Sequence, residues 1–135
     1  YFVNISNIES RYFDSLENGI KGNQVEFVPK INFKTGIQLG ISNFRTELQY
    51  TLLSSQFTDA TNSIESDLSG LIGQMPSYSI LDYSFSYALN RFKIELGVNN
   101  LLNKEYFTNR ATGYPGPGII PSPKRNMYLT IEFKL

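Results

Sequence analysis

Apolar and polar residues alternate along most of this chain. Ile31, Phe33, Thr35, Ile37, Leu39 and Ile41 take one side, and Asn32, Lys34, Gly36, Gln38 and Gly40 take the other. After Ser42-Asn43, Phe44, Thr46, Leu48, Tyr50 and Leu52 alternate with Arg45, Glu47, Gln49 and Thr51. The stretches 81–89, 92–98 and 126–135 repeat the pattern. Successive side chains of a strand point to opposite faces, so each stretch predicts a strand with one apolar and one polar face. Residues 1–13, with Tyr1, Val3 and Ile5 on one side, predict a sixth strand before the pattern slips. The expected fold is all-β: an antiparallel up-and-down meander of about six strands, each pairing with its sequence neighbour.

The connections are of two kinds. Ser42-Asn43 and Asn90-Arg91 read as tight turns, whereas 14–28, 57–77 and 101–125 are long and rich in Gly, Ser, Asn, Asp and Pro. Alternate connections of a meander share an end, so short turns fall at one end and long loops at the other. Transmembrane barrels have this asymmetry. In the last stretch, Met127, Leu129, Ile131, Phe133 and Leu135 face one way up to the final residue, as barrel-closing strands do. A soluble β-sandwich that buries its apolar face against a second sheet, and binds a ligand or partner, is the alternative.

Composition removes other classes. The chain has 135 residues, with 12 Lys+Arg against 12 Asp+Glu. A neutral balance argues against a nucleic-acid binder, which needs a basic face. With no Cys and no His, there is no disulfide framework, no thiolate metal site and no imidazole base. The expectation is no enzyme, no catalytic residue, no metal ligand and no cofactor. No apolar run approaches the about 20 residues of a membrane-spanning helix, and no signal peptide opens the chain. An export signal would therefore lie upstream of residue 1.

The aromatics, 9 Tyr and 10 Phe with no Trp, add a pattern of height. Phe44, Tyr87, Phe92 and Phe133 fall on the apolar face near the short turns, and Phe33 and Tyr50 toward the long loops. They read as two lipid-facing girdles around an aliphatic band, although aromatics also simply suit strands. Parity assigns Ile37, Leu48, Phe85, Leu96 and Ile131 to the convex, outer face, and Lys34, Glu47, Ser84, Glu95 and Glu132 to the concave, inner face. Glu47 and Glu95 raise the thought of paired-carboxylate hydrolysis, but ion pairing along a wall is the better reading.

The last third carries a family resemblance. Gly97-Val98-Asn99-Asn100-Leu101-Leu102-Asn103-Lys104-Glu105-Tyr106-Phe107 resembles a stretch near the end of TonB-dependent outer-membrane receptors. The loop Thr108-Asn109-Arg110-Ala111-Thr112-Gly113-Tyr114-Pro115-Gly116-Pro117-Gly118-Ile119-Ile120-Pro121 resembles ferric citrate-type members from the Bacteroidetes group. The segments 22–30, 56–62 and 75–78 fit the same family in the same order. The final Leu135 departs from the aromatic that usually ends the family.

This resemblance implies that residues 1–135 are the C-terminal segment of a 22-stranded transmembrane β-barrel, with the plug domain and earlier strands absent. It implies import of an iron chelate, ferric citrate or a siderophore, by TonB-dependent active transport across the outer membrane of a Gram-negative bacterium. The implied partners are outer-membrane lipid, the chelate, the TonB complex through the missing N-terminal region, and the barrel assembly machinery at the C-terminal strand. Loop 101–125 would then lie at the outer mouth. Asn109, Arg110 and Tyr114 are its candidate ligand contacts, Arg110 first, because a guanidinium matches carboxylate geometry. The better reading of Arg110 is the blander one: it pairs with a neighbouring loop acid or simply faces water. Gly116-Pro117-Gly118 is no phosphate loop, since proline removes the N–H donors such a loop needs.

Overall fold

The computed structural model describes residues 1–113 and 116–134. The ligand contact expected of Tyr114 and the outward face expected of Leu135 lie outside the described residues. Eight strands form: β1 (Phe2–Asn7), β2 (Ile31–Ile41), β3 (Phe44–Leu53), β4 (Tyr78–Leu89), β5 (Phe92–Asn99), β6 (Phe107–Ala111), β7 (Gly118–Pro121) and β8 (Asn126–Phe133). Six make one antiparallel sheet in the order β1-β2-β3-β4-β5-β8, and β6 and β7 pair apart from it. This is the meander expected. Among the described residues, no second sheet packs against its apolar face, as a sandwich would require.

Like meets like across the ladders. One row runs Ile37, Leu48, Tyr83, Val98, Met127, and the next runs Gln38, Glu47, Ser84, Gly97, Tyr128. A slip of one residue at any ladder would turn a strand's apolar set to the polar side, and none occurs. The two-residue turns start with Ser42 at φ 53° and Asn90 at φ 50°. Left-handed first positions match the right-handed twist of the strands they join.

Both outer strands are keyed by an aromatic ring laid over a glycine. Phe2 of β1 lies opposite Gly36, and Tyr128 of β8 lies opposite Gly97. A Cβ on Gly36 would come 2.5 Å from the Phe2 ring, and one on Gly97 would come 2.2 Å from the Tyr128 ring. Only glycine leaves room for rings so placed. Both joints are on the polar face, where they fix the register of strands that have a neighbour on one side only.

The structure departs from the sequence expectation at three places. β1 ends at Asn7, and the chain then leaves the sheet until β2, with an isolated bridge between Arg11 and Gln24 inside the link. β4 begins at Tyr78, three residues before the alternation becomes legible. Tyr78 and Ile80 pair with Leu53 and Thr51 on the otherwise polar face, so period 2 does not mark them. The third departure is the β6–β7 hairpin inside the link expected to be loop throughout. Its pairing is irregular between Phe107 and Asn109, and it carries too little alternation to stand out.

Candidate functional site

The wall has two surfaces of opposite character. On the apolar face, large side chains stand free: Ile131 is 65% exposed, Leu129 60% and Ile37 56%. Aromatics mark both ends of this face. Near the short turns, Phe44 lies opposite Tyr87, and the Phe92 and Phe133 rings are 4.8 Å apart. Toward the long loops, Phe33 and Tyr50 are 6.3 Å apart. Phe44 and Tyr50 are separated by about 20 Å along β3 at the usual rise per residue. Phe85, 5.5 Å from Phe44, extends the lower level inward.

Two threonine hydroxyls on this face are satisfied by backbone. The Thr35 hydroxyl donates to the Phe2 carbonyl at 2.9 Å, and the Thr46 hydroxyl donates to the Ser84 carbonyl at 3.1 Å. A hydroxyl so satisfied costs little in an apolar surrounding. The sequence pattern had counted these threonines on the apolar side without showing how they fit there.

The opposite face is polar and holds the cavities of the sheet. One of about 470 Å³ opens among Gln38, Arg45, Glu47, Ser84, Ser86 and Glu95. Lys93 Nζ donates to Glu95 at 3.1 Å, an ion pair along one strand rather than between neighbours. Glu47 and Glu95 line the same hollow. Among the described residues, no group of three or more His, Cys, Asp or Glu could hold a metal ion.

At the long-loop end, three links come together: 8–30, 54–77 and 100–125. Asn100 turns the chain out of β5. It is 2% exposed, at φ 53°, a left-handed position that asparagine tolerates. Its N–H donates to Asp82 Oδ1 at 2.8 Å, its amide nitrogen to the Lys104 carbonyl at 2.8 Å, and its amide oxygen accepts from Lys104 N–H at 2.9 Å. Asn103 Oδ1 accepts from Arg125 N–H at 3.0 Å, tying the exit from β5 to the entry into β8. The run 97–107 is thus a side-chain-stapled turn. The Tyr106 ring stacks 4.7 Å from Tyr78, just inside the wall.

Arg110 is buried at 8% exposure. Nη1 donates to the Gly70 carbonyl at 2.6 Å, and Nη2 donates to Ser66 Oγ at 3.1 Å and to the Gln74 carbonyl at 3.4 Å. The guanidinium carbon sits 5.4 Å from the centre of the Phe107 ring, within cation–π range. Asn109 is exposed, with Oδ1 accepting from Arg110 N–H. Asn62 was not singled out by sequence. Its amide exchanges two bonds with the backbone of Gln24, at 2.7 and 2.8 Å, joining the first two links as a strand would. Its one advance signal is an asparagine two residues past Ala60 in a Thr-Asp-Ala-Thr-Asn run, a turn-forming composition.

Three ionisable groups in these links are shifted. The Lys124 ammonium donates to Glu105 at 2.5 Å and holds its carboxyl below the usual range. The Ser69 hydroxyl and the Ile72 N–H do the same for Asp67. The bond from Tyr12 to Glu26 raises the Tyr12 phenol.

A single-layer meander, apolar on one face, polar on the other and topped at one end by interlocked links, is a section of β-barrel wall. Residues 2–101 match the family described as TonB dependent receptor-like, beta-barrel, and the chain belongs to that family. Among solved structures, the ferric citrate transporter FecA in its unliganded form shares 24% identity at a TM-score of 0.78, over 87% of this chain and 18% of that one. The ferric yersiniabactin uptake receptor FyuA from Yersinia pestis shares 20% identity at 0.75, over 97% and 20%. The siderophore receptor PiuA from Acinetobacter baumannii shares 21% at 0.68, over 84% and 15%. The chain therefore spans about a fifth or less of the length of these structures, and the likeness is one of fold. No curated protein sequence matches it.

Proposed function

We propose that this chain is the C-terminal wall section of an outer-membrane receptor that imports an iron chelate by TonB-dependent transport. One observation carries the membrane part of this reading. The sheet exposes an apolar face, bounded by aromatics at two heights, with the hydroxyls of Thr35 and Thr46 satisfied by backbone. Such a surface suits hydrocarbon with interfacial girdles. The free edges of β1 and β8 call for further strands, since unpaired backbone groups are costly in lipid. Those strands, the plug and the TonB-contacting segment belong to the rest of the receptor, and the assembly machinery would read β8.

The cargo is an anionic ferric chelate, ferric citrate first. Support comes from the resemblance in loop 108–118 and from neighbours that carry ferric citrate and siderophores. The link 100–125 lies at the outer mouth in this reading. Asn109 and Tyr114 are contact candidates there, and Arg110 adds positive charge to the same link. The test is uptake of radiolabelled ferric citrate by iron-starved cells carrying the complete receptor, with and without TonB. TonB-dependent uptake of the iron is the expected result. Uptake of another ferric chelate but not citrate would replace the cargo, and no energised iron uptake of any kind would overturn the reading.

A further inference from the structure

The three long links are not independent flaps. Between links 8–30 and 54–77, Asn62 exchanges two bonds with the Gln24 backbone, Phe27 N–H donates to the Phe57 carbonyl at 2.8 Å, and Asn23 Nδ2 donates to the Ala60 carbonyl at 2.9 Å. Between links 54–77 and 100–125, the joint is Arg110. Its three donated bonds all reach the segment 66–74. The two backbones also touch there: a Cβ on Gly70 would lie 3.1 Å from Gly118 Cα. Gly70 is at φ +72° and Gly118 at φ +134°, left-handed values that favour glycine at both points of contact.

We propose that Arg110 is a positioning residue, the clasp that holds links 54–77 and 100–125 as one preformed lip at the mouth of the barrel, with Asn62 as the matching clasp to link 8–30. The inference rests on the receptor reading above and deepens it. Two features define the clasp, and the first separates it from a ligand contact. The first is geometry: the guanidinium is buried under Phe107 and link 54–77, so a chelate could touch it only by displacing that link. Its Nε–H is itself buried and finds no hydrogen-bond partner among the described residues. The second is charge. The acceptors are two backbone carbonyls and a serine hydroxyl, all neutral, and among the described residues no carboxylate pairs with Arg110. The positive charge is therefore not cancelled. Arg110 orders the lip by its hydrogen bonds and still draws anions by its field. A lip ordered in advance spares the chelate the entropy of ordering it.

The complete receptor, reconstituted in lipid nanodiscs, provides the test. Hydrogen exchange is measured link by link for Arg110→Ala, Arg110→Lys and Asn62→Ala, and ferric citrate binding is measured for each. Arg110→Ala is expected to speed exchange in 66–74, a segment it does not belong to, by about tenfold or more, the scale set by losing charged hydrogen bonds. Exchange in β2–β5 should stay unchanged. Arg110→Lys should restore part of the protection, and Asn62→Ala should loosen 23–27 and 57–62 instead. If ferric citrate is the cargo, its association should slow in proportion to the loosening. Unchanged exchange in 66–74 with a folded barrel would overturn the clasp, and a fall in chelate affinity alongside it would make Arg110 a direct contact. The exchange result stands whichever chelate is carried, so failure of the clasp and failure of the cargo are read separately.

Discussion

The wall and the loop end are held together by different means. In β2–β5 and β8, backbone ladders do the work, and the large apolar side chains remain exposed. At the loop end, backbone pairing is sparse and side chains do the work. Apart from Gly36 and Gly97, each covered by an aromatic ring in the wall, the buried residues among those described, Ile20, Gly73, Met75, Asn100, Arg110 and Ala111, belong to the links or to the β6–β7 hairpin within them. A soluble sheet would reverse this, with its core under the strands and exposed loops above. In the membrane reading proposed above, the part with its own small core faces water, and the part without one has an apolar solvent outside it. The difference makes the two regions respond to opposite substitutions.

The largest effect is expected on the outer face of the wall. Leu96→Arg in the complete receptor should cost about 2–4 kcal/mol if it sits near the bilayer midplane. Glu95→Gln, one residue away on the polar face, should do far less. Unfolding of the assembled barrel in lipid by denaturant measures both, and equal costs would remove the distinction between faces. At the junction of the two regions, Asn100→Ala should cost about 2 kcal/mol, because it leaves Lys104 N–H without its acceptor and puts alanine at a left-handed φ. The loss should appear in exchange at 100–106 and 124–126 before it appears in β2 or β3.

The aromatic–glycine joints should come next. Gly97→Val must expel the Tyr128 ring and should cost about 1–3 kcal/mol. Tyr128→Ala should cost less, yet weaken the register of β8. Disulfide trapping between cysteines at 99 and 126, which face each other across β5 and β8, reads that register. Undiminished trapping in Tyr128→Ala would leave the ring no part in it.

The smallest effect concerns pH. Lys124 lowers the Glu105 carboxyl, so their tether is complete above the unfolded value and is lost as pH falls through the lower folded value. The foot of link 100–125 should loosen only below the ordinary carboxylate range. Both groups are largely exposed, so screening by salt should erode the tether. An NMR titration of the Glu105 carboxyl, with and without Lys124→Met, measures the shift directly.

What was legible in the sequence follows the same division. Period 2 outlined β2, β3, β5 and β8, because one face of each is apolar but for Thr35 and Thr46. It missed the start of β4, where Tyr78 and Ile80 put apolar residues on the inner side, and it missed the β6–β7 hairpin among glycines and prolines. The roles of Asn62, Asn100 and Arg110 were not legible, since their partners are set by where links meet in space. Gly70 and Ser66 lie far from Arg110 in the chain, and nothing local announces them. The Asn-Leu run was recognisable as a family trait, and the structure supplies its physical reason in the staple around Asn100.

The central claim is that the apolar face meets lipid and the polar face meets the lumen. Spin labels placed one at a time from 92 to 98 along β5, in the complete receptor in a bilayer, test it most directly. Accessibility to oxygen, which partitions into hydrocarbon, should alternate, high at 94 and 96 and low at 93, 95 and 97. Low oxygen accessibility at 94 and 96, with no alternation along the strand, would show that face covered by protein and contradict the account.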